Sequence, residues 1–71
     1  EIVNLAQLAG LGMKDPITPE VMKGKRMIRN SKSVKILGNG ELSDAVTVHA
    51  HKFSRSAIDK IEKSGGKAVI I

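Results

Sequence analysis

Cysteine, tryptophan and tyrosine are absent from this 71-residue sequence, and Phe53 is its one aromatic residue. Without cysteine there is neither a disulfide framework nor a thiolate metal site, which suits a reducing, intracellular setting. Without aromatic rings the core rests on Ile, Val, Leu, Met and Ala, and recognition of single-stranded nucleic acid by base stacking is disfavoured. No apolar run approaches the roughly 18 residues that span a bilayer, and the opening EIVNLAQLAG lacks the basic flank and apolar centre of a signal peptide. A chain this short buries only about 60% of the surface that its unfolded form exposes, so it supports one modest core. It starts at Glu1 rather than methionine, and the expectation is a retained or ordered part of something longer.

Acidic residues are the next scarcity. Twelve Lys and Arg stand against seven Asp and Glu, a formal net charge of +5 at pH 7. The excess is concentrated: residues 41–71 carry five bases and four acids, whereas KGKRMIRNSKSVK, residues 23–35, carries Lys23, Lys25, Arg26, Arg29, Lys32 and Lys35 and no acid. A charged run is commonly just a solvated face. Thirteen residues without an acid, interleaved with Gly24, Asn30 and Ser31, look instead like a segment built to lie along a phosphate backbone, where each base releases condensed counterions.

The local patterns predict short elements. Ile2 and Val3 read as extended; Asn4 caps a helix of a turn or two with Leu5, Leu8 and Leu11 at three-residue spacing, broken by Gly10, Gly12 and Asp15-Pro16. Thr18 caps a second brief helix with Pro19 at its first position and Glu20 against its positive end, and Gly24 interrupts it. VKIL (Val34 to Leu37) and VTVHA (Val46 to Ala50) read as strands, separated by eight residues, too many for a two-residue hairpin. In FSRSAIDKIEKSGG, Ala57, Ile58 and Ile61 share a face with Phe53, while Arg55, Asp59, Lys60, Glu62 and Lys63 face outward. Either Ser54 or Ser56 can cap this helix, Asp59 stands four residues before Lys63 in the favourable orientation, and Gly65 ends the helix. KAVII, Lys67 to Ile71, reads as a final buried strand. The class is α/β: a small single domain of short strands and short helices.

Candidate chemistry is sparse. GNGELS after the VKIL strand lacks both the lysine of a nucleotide phosphate loop and the third glycine of a dinucleotide fingerprint. Gly38, Asn39 and Gly40 are therefore read as a turn, or as a place where a large partner approaches the backbone. His49 and His51 lie two apart on one strand face, acceptable geometry for two metal ligands, but no third ligand is evident and no metal is expected. The serines sit in no nucleophile-elbow context and have no accompanying base, so no catalytic residue is assigned.

Lys35-Ile36-Leu37-Gly38-Asn39-Gly40-Glu41-Leu42, then Val46 and Val48 in alternation, then Phe53-Ser54, Ala57, Ile61 and Gly65, resemble the signature of large-subunit ribosomal protein fifteen. Upstream, VNLAQL and ITPEVM resemble the bacterial members of that family, so the likeness covers nearly the whole chain and is weakest over residues 9–16 and 23–33. The resemblance implies a compact fold with irregular β-β-α turns. It further implies that residues 1–71 form one globular RNA-binding domain, a C-terminal fragment lacking the family's basic, glycine-rich N-terminal extension.

The function so implied is that of a structural constituent of the large ribosomal subunit, not an enzyme, which binds ribosomal RNA through a basic surface. Its partners would be large-subunit ribosomal RNA and neighbouring ribosomal proteins, with no cofactor, membrane or small-molecule substrate. Its place would be the cytoplasmic ribosome, an organellar one being left open. The expected phosphate contacts are Lys23, Lys25, Arg26, Arg29, Lys32 and Lys35, with Lys52 and Arg55 as a second cluster at the strand-to-helix junction. At Gly38, Asn39 and Gly40 packing and close approach of RNA or a neighbouring protein both stay open. The alternative is a protein-docking module within a ribonucleoprotein, using an exposed edge strand or helix while RNA binding resides in the absent extension.

Overall fold

The computed structural model describes residues 1–12 and 15–71. The chain runs β1 (Ile2–Asn4), α1 (Leu5–Ala9), α2 (Pro19–Gly24), β2 (Lys35–Leu37), β3 (Thr47–Ala50), β4 (Lys52–Phe53), α3 (Arg55–Lys63) and β5 (Lys67–Ile70). Among the described residues there are two small sheets, one of three strands in the order β1-β2-β4 and one of two, β3-β5, and every strand pairing is parallel. The α/β expectation holds, and β3-β4-α3 supplies a β-β-α unit. The eight residues between VKIL and VTVHA lead from one sheet to the other rather than round a hairpin.

Strand alternation places the core. Val3 and Ile36 face inward with Phe53 in register beside them, and Ile2, Lys35 and Lys52 form the outward row. In the second sheet Val48 and Ala50 point inward, and Ile17 bridges the other side of β3 through hydrogen bonds of 2.8 Å from its amide to the Thr47 carbonyl and from the His49 amide to its own carbonyl. Leu5, Leu8, Met22, Ala57 and Ile61 close the core from the helices.

The helix starts follow their caps. Thr18 Oγ1 accepts from the Val21 amide at 3.2 Å with Pro19 behind it. Ser54 Oγ accepts from the Ala57 amide at 3.1 Å, so the cap of α3 is Ser54, not Ser56. At α1, Gln7 Oε1 accepts from the Asn4 amide at 2.8 Å, while the Asn4 Oδ1 atom is buried without a partner. The capping box there has only its return half.

Two expectations need correction. KAVII is not a buried strand: β5 pairs with β3 alone, Ile70 is 67% exposed and Ile71 56%. Its apolar composition suggested burial, but its place at the end of the sheet leaves one side uncovered. Lys60 does not face outward. It is half-buried and folds back over the loop after β2, while Asp59 and Lys63 form no ion pair.

Candidate nucleic-acid interface

The basic segment begins at the end of α2 and returns to the sheet at β2. Its apolar residues hold it down: Ile28 and Val34 are buried and Met27 packs against the core, while all six bases point to solvent. The turn inside it is also held. Glu1 Oε2 accepts from the Arg29 amide at 2.6 Å and the Asn30 amide at 2.9 Å, and Asn30 Oδ1 accepts from the Lys32 amide at 2.8 Å. These two amides draw the Glu1 carboxyl below its ordinary pKa, because they bond its charged form. The run is free of acid along the sequence, yet in space one carboxylate, at the start of the neighbouring strand β1, organises its backbone. No local pattern announces that contact, which joins residues 28 and 29 positions apart.

Val34 ties this segment to the second basic cluster. Its amide donates to His51 Nδ1 at 3.0 Å, and its carbonyl accepts from the His51 and Lys52 amides, each at 3.1 Å. His51 thus serves as a structural acceptor. Lys35 follows directly, in register between Ile2 on β1 and Lys52 on β4. Two lysines therefore stand opposite one another on adjacent strands, and Arg55 opens α3 three residues beyond Lys52, all three exposed.

The turn at Gly38, Asn39 and Gly40 lies where the chain crosses the starts of α1 and α3. Gly38 is buried, and a Cβ there would overlap Ser56 Oγ and sit 2.9 Å from the Ala57 amide nitrogen. Gly40 has φ +105°, and a Cβ on it would lie 2.5 Å from the Ala6 nitrogen. The Asn39 carbonyl accepts from the Ala6 amide at 3.0 Å. Lys60 Nζ completes the arrangement by donating to the carbonyls of Gly38 at 2.8 Å and Gly40 at 2.9 Å, with Glu41 Oε1 at 3.2 Å. The backbone approaches at Gly38 and Gly40 are thus to this chain's own helices, while Asn39 remains exposed.

His49 and His51 do not converge with a third ligand, and among the described residues no three His, Cys, Asp or Glu side chains cluster as a metal site. No helix among them is long and apolar enough to cross a membrane.

Residues 2–69 match the model of a family of ribosomal proteins that takes in 50S-L15, 50S-L18e and a 60S counterpart. Proteins named large ribosomal subunit protein uL15 are similar throughout. The one from Koribacter versatilis is 50% identical over 70 residues, covering 99% of this chain and 48% of that protein. That of Acidobacterium capsulatum is 52% identical over 71 residues, with the same coverage. That of Bdellovibrio bacteriovorus is 51% identical over 71 residues, 100% of this chain and 47% of the other. The chain spans about half the length of the curated relatives it matches.

Proposed function

The chain belongs to this family of ribosomal proteins, and on that footing we propose that it is a structural constituent of the large ribosomal subunit that binds ribosomal RNA through the surface formed by Lys23, Lys25, Arg26, Arg29, Lys32, Lys35, Lys52 and Arg55. The reading assigns it to the ribosome, with neighbouring ribosomal proteins as further partners and no catalytic step.

The observation that carries the proposal is the opposition of Lys35 and Lys52. Like charges directly opposite on adjacent strands destabilise a sheet, and all-parallel sheets ordinarily have both faces covered. Here the outward row of Ile2, Lys35 and Lys52 is exposed, on a sheet continuous with the five further bases Lys23, Lys25, Arg26, Arg29 and Lys32. Arg55 adds to the mismatch, being a cation in the first turn of a helix that has no acid there. A polyanion lying over this face relieves each conflict. Its recognition would rest on phosphate position and shape, since stacking rings are lacking.

Replacing Lys35 and Lys52 with glutamine tests this. Affinity for large-subunit ribosomal RNA is expected to fall and its salt dependence to flatten, by about one unit of slope for each phosphate no longer neutralised. Unchanged affinity and slope would overturn the assignment.

A second reading, docking on a neighbouring protein, has one observation in its favour: β5 ends its sheet with Ile70 and Ile71 exposed. Apolar contact there would persist as salt rises, whereas phosphate contact would not.

A further inference from the structure

Helices α2 and α3 end in the same hydrogen-bonded turn but with different residues at its critical place. At the end of α3 the Gly65 amide donates to the Glu62 carbonyl at 2.9 Å and the Gly66 amide to the Ile61 carbonyl at 3.0 Å, with Gly65 at φ +88°. At the end of α2 the Arg26 amide donates to the Lys23 carbonyl at 3.0 Å and the Met27 amide to the Met22 carbonyl at 2.9 Å, with Arg26 at φ +61°. The left-handed residue of this turn is usually glycine, sometimes asparagine, because a Cβ crowds the neighbouring carbonyl. In α3 the chain follows that rule. In α2 it sets an arginine there, although Gly24 lies only two positions away.

Arg26 is the only residue other than glycine with positive φ among those described. Nothing local compensates it: the side chain is exposed and enters no ion pair or hydrogen bond among the described residues. The turn itself is well anchored, since Met22 and Ile28 are buried on either side and Met27 packs on the core. The direction in which the arginine leaves the surface is therefore fixed by a backbone that an arginine does not favour. Unusual backbone held in place by well-packed surroundings is a mark of placement for binding.

We infer that Arg26 is a phosphate anchor of the basic surface, its guanidinium aimed by the strained turn at the end of α2 so that stability is given up for position. This rests on the RNA-binding reading above and deepens it, singling out one of eight bases. A guanidinium suits the role because its planar fork can meet two phosphate oxygens at once.

The test measures thermal midpoint and RNA affinity on the same set of proteins: the unaltered chain, Arg26→Gly, Arg26→Lys and Lys25→Gln. The probe is large-subunit ribosomal RNA at several salt concentrations. Arg26→Gly is expected to raise the midpoint by a few degrees, the strain released exceeding the backbone entropy that glycine adds to the unfolded chain. The same variant is expected to bind RNA about tenfold more weakly, its salt slope shallower by about one. Arg26→Lys should keep the original midpoint and most of the slope, and Lys25→Gln should lose less affinity than Arg26→Gly. Arg26→Gly that binds as the unaltered chain does, or that lowers the midpoint, overturns the inference while leaving the wider reading intact. So does Lys25→Gln losing as much affinity as Arg26→Gly. If the unaltered chain shows no salt-dependent binding, the wider reading fails and this inference fails with it.

Discussion

Lys35 on β2 and Lys52 on β4 stand in register on neighbouring parallel strands with both side chains exposed. Repulsion across that pair sets local stability against charge density. Lys52→Glu converts it into an opposite-charge pair, worth about 0.2–1 kcal/mol at a cross-strand site. The denaturation midpoint should rise slightly while RNA binding weakens, and chemical denaturation beside a binding titration reads both. A surface that served only solubility would give the first effect without the second.

Lys60 and its neighbour Glu41 make a different contrast. The Lys60 ammonium donates to two carbonyls and meets a carboxylate that is 84% exposed. Hydrogen bonds to a charged group contribute about 1.5–3 kcal/mol, whereas an exposed ion pair contributes about 0–1. Lys60→Met should therefore lower stability by roughly 2 kcal/mol, and Glu41→Gln by less than about 0.5. Equal losses in urea denaturation would mean that the carboxylate, not the carbonyls, is the partner that matters.

Gly38 has no room for a methyl group. Gly38→Ala should cost about 1–3 kcal/mol, the range for overpacking a closed site. Adding Ser56→Ala should recover only part of this, because the Ala57 amide nitrogen, 2.9 Å from the added atom, belongs to the backbone. Full recovery in the double variant would place the whole conflict on the serine hydroxyl.

The Glu1 carboxyl gives a pH dependence of known sign. Its pKa in the folded chain is lowered, first by the Arg29 amide and then by the Asn30 amide. The folded state thus gains stability that is fully present above the unfolded carboxyl's pKa and is lost as pH falls through the lower folded value. On acidification the protection of the Arg29 and Asn30 amides, taken relative to the intrinsic exchange rate at each pH, should fall. In Glu1→Gln, which carries no titrating group there, that part of the acid response should vanish; a variant with the unchanged acid profile would assign it elsewhere.

How legible the structure was differs by element, for physical reasons. Thr18-Pro19 and the alternation of Val46, Val48 and Ala50 act within a few residues, so α2 and β3 could be read directly. The pairing of β1 with β2 joins Ile2 to Lys35 across more than thirty positions, and no local signal specifies it. β4 has only two residues, too few to show strand alternation. KAVII misled because composition reports how apolar a segment is, while burial depends on whether anything packs over it.

The candidate interface was legible as composition but not as geometry. The bases of residues 23–35 announce themselves by the missing acids. Their organisation depends on Glu1, on His51 and on the positive φ of Arg26, none of which charge counting detects. Lys60 looked like one more solvated helix charge, although its place three residues after buried Ala57 sets it beside the core face.

The central claim is that this basic surface binds ribosomal RNA by phosphate contact. It is tested most directly by titrating the chain against large-subunit ribosomal RNA and an unrelated folded RNA at several salt concentrations. Tighter binding to the ribosomal RNA, with log affinity falling linearly against log salt at a slope of about three or more, is the expected result. Absent binding, or an affinity indifferent to salt, would remove the basis of the claim.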